Sequence, residues 1–189
     1  MTKNYLIKQL DQIKNAKREY RLMVANTVLK NKELFPYLIE MVFNTQNKTS
    51  MKAAWVLEFV LEQKPEWLYT YLTYFTENIN ILKDDSVIRP ISKICLFLAQ
   101  IYISKNNILL KKFITKTHID NIVETGFDWM IGPYKVATKA YTMQTLYIFG
   151  ENYHWVHEAL KLTIQKNIMT ESAAYKARAK ITLNLINKK

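Results

Sequence analysis

Three features of these 189 residues predict an all-α chain. Apolar residues recur at helical spacing through nearly the whole length. Glycine occurs three times and proline four times, too few for the many turns of a β-protein. Breakers and cap residues fall between the periodic segments rather than inside them. Together they predict about ten helices in five pairs, an α-α superhelix filling residues 1–189 as one domain.

The opening pair covers about residues 3–14 and 16–30. The next helix follows Asn31 and carries Leu34, Leu38, Met41 and Val42, with Pro36 in its first turn, where the missing N–H costs nothing. Asn47-Lys48-Thr49-Ser50 is a cap-rich junction that opens a helix through Ala54, Leu57, Val60 and Leu61. Lys64-Pro65-Glu66 starts another, with proline at the favoured first position and an acid near the positive dipole end; its face runs through Leu68, Leu72, Phe75 and Ile79.

Lys83-Asp84-Asp85-Ser86 punctuates the chain again, before a stripe of Ile91, Ile94, Cys95, Leu98, Ile101 and Tyr102. A polar connection at Ser104-Lys105-Asn106-Asn107 leads to a short helix and a longer one between Leu109 and Trp129. Gly132-Pro133 separates these from a helix through Val136, Ala140, Met143 and Tyr147, with Gly150 as its C-cap. The last pair spans about residues 153–167 and 171–187.

The net charge is +11 and the pI is about 9.6, a balance that favours polyanionic partners. The cations are mostly lysine; Arg18, Arg21, Arg89 and Arg178 are the only arginines, in a chain rich in Asn, Ile and Tyr. About half of the excess is the compositional bias of an AT-rich coding sequence, which tempers the rule for basic domains. Placement of the charge therefore says more than its sum. Cys95, the single cysteine, excludes an intrachain disulfide and sits among Ile94, Leu96 and Phe97, where a thiol acts as a small hydrophobe. The chain shows no signal-peptide pattern and no apolar run of about 20 residues, so no membrane insertion is expected and a reducing cytoplasm is the expected compartment.

The second helix of each pair carries a weak internal repeat. Met51-Lys52-Ala53-Ala54, Ile88-Arg89-Pro90-Ile91, Tyr134-Lys135-Val136-Ala137 and Tyr175-Lys176-Ala177-Arg178 each place a basic residue near a helix start, after a large apolar or aromatic one. The key positions lie 37, 46 and 41 residues apart. Tyr20-Arg21-Leu22 is a degenerate first copy. A second cation follows four residues later at Lys93, Lys139 and Lys180, on the same helix face; Lys17 precedes Arg21 and Lys48 precedes Lys52 by four. Arg21, Lys52, Arg89, Lys93, Lys135, Lys139, Lys176 and Lys180 are thus the candidate groove residues.

Helix pairs at this period, with a basic residue early in the second helix, resemble HEAT and armadillo repeats over the whole chain. The resemblance implies a right-handed solenoid whose second helices line a concave face. The chain also resembles short helical-repeat proteins that carry the inherited name adenylosuccinate lyase. True lyases share a glycine- and serine-rich loop with a Met-Pro-x-Lys-x-Asn core, and nothing here matches it, so lyase chemistry is not implied.

Two readings of the basic ladder stand side by side. It lines a groove that tracks phosphates or other anions, or its cations bond carbonyls and acids of the adjacent repeat. The residues seven places after the key positions, Phe59, Leu96, Thr142 and Leu183, are mostly apolar, so that face is partly packed.

Other constellations are thinner. Glu151, His154 and His157 offer one Glu-x-x-His element, where helical metal sites need several from facing helices. Phe127-Asp128-Trp129 is of interest because alkylpurine DNA glycosylases of a HEAT-like class present aromatic and acidic residues in a basic groove; no residue aligns with their pattern, and Trp129 reads as core and Asp128 as a surface acid. Three glycines exclude a phosphate-cradling loop. No Ser-His-Asp or Cys-His nucleophile arrangement has support beyond the presence of the residue types. The expectation is a binding scaffold with no cofactor and no catalytic residue. A protein or peptide partner is favoured, and nucleic acid is the alternative.

Overall fold

The computed structural model describes residues 1–104 and 108–188, with Ile108 in its backbone only. The polar connection at Lys105, Asn106 and Asn107 lies outside the described residues. Among those described are eleven α-helices, three short 3-10 segments and no strand, as the helical periodicity predicts. The helices are α1 (Lys3–Asp11), α2 (Arg18–Lys30), α3 (Phe35–Phe43), α4 (Ser50–Gln63), α5 (Leu72–Asn78), α6 (Asp85–Ile103), α7 (Ile108–Phe113), α8 (Lys116–Ile131), α9 (Val136–Gly150), α10 (His154–Asn167) and α11 (Ala173–Asn187).

Local chemistry explains several boundaries. Thr2 Oγ1 accepts the Tyr5 N–H at 3.3 Å and Ser172 Oγ accepts the Tyr175 N–H at 3.3 Å, each satisfying a donor that its helix start leaves orphaned. Thr115 and His118 form a reciprocal cap: the threonine oxygen accepts the His118 N–H, and His118 Nδ1 accepts the Thr115 N–H at 3.1 Å. At α6, Asp84 Oδ1 accepts both the N–H and the hydroxyl of Ser86, at 2.8 and 2.7 Å.

Three sequence expectations are corrected. The segment after Pro65 is not one helix; it runs as a 3-10 stretch, Pro65–Tyr71, then α5, then a 3-10 turn, Ile79–Ile81. The pitch changes at Tyr71 (φ −113°, ψ 9°), where the rings of Trp67 and Tyr71 both pack edge-on against Phe35 with centroids 5.6 Å away. Arg89 is not at a helix start: the Asp84 cap begins α6 at Asp85, so Arg89 falls in the second turn and Pro90 lies inside the helix. Gly150 is the last residue of α9, buried, and no described residue has positive φ. A Cβ there would collide with the His157 ring, so close packing rather than a left-handed cap selects glycine.

One helix also meets a test that the sequence reading placed out of reach. By length and composition α6 is long and apolar enough to cross a membrane, with 19 residues and a mean hydropathy of 1.4. Of that apolar window 56% is buried within the protein, and the helix carries Asp85, Arg89 and Lys93.

The described chain divides into two compact units, Met1–Ile94 and Cys95–Lys189. In the first, α4 packs against both α2 and α3, with Val24, Val28, Leu38, Val42, Ala53, Leu57 and Val60 buried. In the second, α9 packs against α8, α10 and α11, with Ile122, Met130, Met143, Leu146, Phe149, Leu160 and Tyr175 buried. Burial of such side chains contributes about 1.5 to 3 kcal/mol each, which outweighs the weak propensity of the Asn-, Thr- and Tyr-rich helices.

Candidate functional site

The first unit brings two cations onto one acid and two more beside them. Glu58 sits in the middle of the apolar run of α4 and is only 7% exposed. A lone buried carboxylate there needs a counter-charge. Lys93, on α6, supplies it: its Nζ donates to Glu58 Oε1 at 2.8 Å.

Arginines from α2 complete the cluster. The Arg21 guanidinium lies 5.1 Å from the centroid of Phe59 and 5.8 Å from that of Trp55, and Arg18 lies 4.8 Å over Phe59. Both rings are nearly buried, so each arginine covers apolar surface while its charge faces the rim. Burial holds the Arg21 pKa below the ordinary arginine value; Glu58 pulls it back up, and Arg89 and Arg18 push it down as like charges. Arg21 Nε is buried with no hydrogen-bond partner. Arg18 is exposed, and Arg21, Lys52 and Arg89 are half-buried. The cluster is therefore net positive, partly desolvated and reachable from solvent.

The second unit treats its ladder residues differently. Lys139, only 5% exposed, is held by an ion pair to Glu171, in the turn before α11, and its Nζ lies 6.0 Å from the centroid of Tyr175. Burial, and next the Glu171 charge, push the Tyr175 phenol up to about 12. That hydroxyl is buried, and Asn167 beside it pulls the pKa partly back down. Lys135 is exposed at the N-cap of α9. Lys176 and Lys180 are exposed on α11, and Lys176 Nζ donates to the Met169 carbonyl at 3.3 Å.

Arg21, Arg89 and Lys93 thus meet in one cluster, with Lys52 half-buried on α4, whereas Lys139 is absorbed by an acid. Glu58, Arg18 and Glu171 lie outside the periodic basic pattern. Glu58 had a signal, an acid inside the otherwise apolar run Ala53–Leu61. Glu171 had none beyond its place in a polar turn.

The remaining candidates take structural positions. Asp128 is exposed and its carbonyl accepts the Gly132 N–H at 2.8 Å, while Trp129 is 3% exposed. His157 Nε2 is 2.8 Å from the Tyr147 carbonyl, so that nitrogen donates, and the two rings stack at 5.2 Å. Among the described residues no three His, Cys, Asp or Glu side chains gather as metal ligands. Cys95 is buried, and burial raises its thiol pKa far above the ordinary value, opposite to a reactive thiolate.

No family of known proteins, no curated protein and no solved structure matches this chain.

Proposed function

We propose that this chain is a HEAT- or armadillo-like stack of helix pairs that binds a protein or peptide partner without chemistry. The observation that carries the reading is the arginine cluster of the first unit. Arg21 sits on Trp55 and Phe59 with an unsatisfied Nε, Arg18 and Arg89 lie close by, and the nearby acid, Glu58, is already engaged by Lys93. Guanidinium groups held on rings keep their donors in fixed geometry, which suits the carboxylates of an acidic segment.

A titration with a synthetic Glu- and Asp-rich peptide tests it. The peptide binds at low salt, and Arg21→Ala with Arg89→Ala weakens binding about tenfold or more. Unchanged affinity in that variant rejects the cluster as the recognition surface.

Nucleic acid is the second reading, favoured by the net charge of +11 and the periodic cations. Lys93 and Lys139 speak against a continuous phosphate track, because acids of the chain already neutralise them. Mixed DNA and RNA at varied salt decide it. If they bind, replacing Arg89, Lys135 and Lys176 with Ala flattens the salt slope; no binding at low salt ends the reading.

A further inference from the structure

The second unit carries an open groove of its own, lined by none of the arginine-cluster residues. Its volume is about 540 Å³, and Ile168, Met169 and Leu183 supply its apolar walls while Lys176 and Lys180 stand on its edge. Met169 is 82% exposed, more than any other large apolar side chain among the described residues. The stripe of α11 that packs inward is a separate one, Tyr175, Ala179, Thr182 and Ile186. Leu183 and the two lysines therefore lie off the buried face; the lysines are exposed, Lys176 donating to the Met169 carbonyl, and Leu183 is half-buried.

Charge restricts what can lie there. From Ser172 to the last residue the chain has five cations, Lys176, Arg178, Lys180, Lys188 and Lys189, and no acid. A second α11 laid against this one would set like charges side by side, which opposes a symmetric pair. Nucleic acid offers phosphates but no aliphatic side chains for Met169 and Leu183. Lys176 and Lys180, four residues apart on one face, have the spacing of an acid pair four apart on a facing helix.

We infer that this groove docks an acidic amphipathic helix of a partner protein, which places an aliphatic side chain between Met169 and Leu183 and carboxylates on Lys176 and Lys180. This is recognition by a helix in a groove. It shares no residue with the arginine cluster, so Arg21→Ala leaves its lining unchanged and changes here leave the residues of that cluster unchanged.

The probe is a synthetic amphipathic helix with leucines three and four residues apart, flanked by glutamates; its twin carries lysines in place of the glutamates. Binding is read by fluorescence anisotropy and by the Met169 methyl resonance. The glutamate peptide binds and shifts that resonance, and the lysine peptide does not bind. Lys176→Glu with Lys180→Glu, both at exposed positions, weakens the glutamate peptide about tenfold or more and admits the lysine peptide. Equal binding of both peptides, no binding of the glutamate peptide, or binding that ignores the double reversal overturns the inference. So does a Met169 shift produced only by phosphatidylserine vesicles, by duplex DNA, or by raising the protein's own concentration.

Discussion

Each compact unit carries an ion pair with one well-buried member, and the two are built on opposite plans. In residues 1–94 the deeply buried member is an acid, Glu58, met by Lys93 and approached by Arg21, with Arg18 and Arg89 close to Arg21. In residues 95–189 it is a cation, Lys139, matched singly by Glu171. The first arrangement leaves positive charge over, half-exposed on aromatic rings; in the second the buried cation and its acid balance one to one. Lys93 and Lys139 hold equivalent places in the periodic pattern. The acids supplied by other elements decide whether the surrounding cations remain for a partner.

Breaking the second pair tests this most sharply. Glu171→Gln strands Lys139 at a nearly buried position and costs about 3 kcal/mol in urea denaturation. Lys139→Met with Glu171→Leu removes both charges and stays within about 1 kcal/mol of the parent. A harmless Glu171→Gln would show that Lys139 reaches water.

A steric reference in the same unit comes next. Gly150→Ala drives a methyl into the His157 ring and costs about 2 kcal/mol, read as a lowered midpoint without a changed slope. In the first unit Lys93→Met costs less, about 1 kcal/mol, because Arg21 still offers Glu58 an opposite charge. A larger loss for Lys93→Met than for Glu171→Gln would reverse the comparison.

The smallest effect belongs to Tyr175. Its phenol titrates at about 12 against an ordinary 10.0, so above pH 10 the unfolded chain releases a proton that the native chain keeps. Its contribution to stability is whole below about pH 10 and is lost as pH rises toward 12. Tyr175→Phe removes the titrating group, and stability at neutral pH stays within about 1 kcal/mol of the parent. Alkaline denaturation curves of the two proteins then separate only above about pH 10.

Much of the fold was legible because helix signals are local. The Asn47–Ser50 junction and the pair of helices between Leu109 and Trp129 follow from apolar period and cap chemistry, which act within a few residues. Misreadings arose where distant side chains intervened. The 3-10 stretch after Pro65 accompanies packing of Trp67 and Tyr71 on Phe35, some thirty residues away, and Gly150 answers to His157. The candidate site was half legible. Arg21, Arg89 and Lys93 stood out by their spacing, but Glu58 lies 35 residues from Lys93, and no periodicity encodes that meeting.

Composition and periodicity alone established an all-helical chain, the approximate helix boundaries and a recurring basic position. Each of these follows from the preferences of a residue and its neighbours along one helix. Which cations are neutralised and which stay open to a partner was settled only by folding. A charge buried in protein responds to whatever charge lies within a few ångströms, and those neighbours came from other helices: Glu58 for Lys93 and Arg21, Glu171 for Lys139.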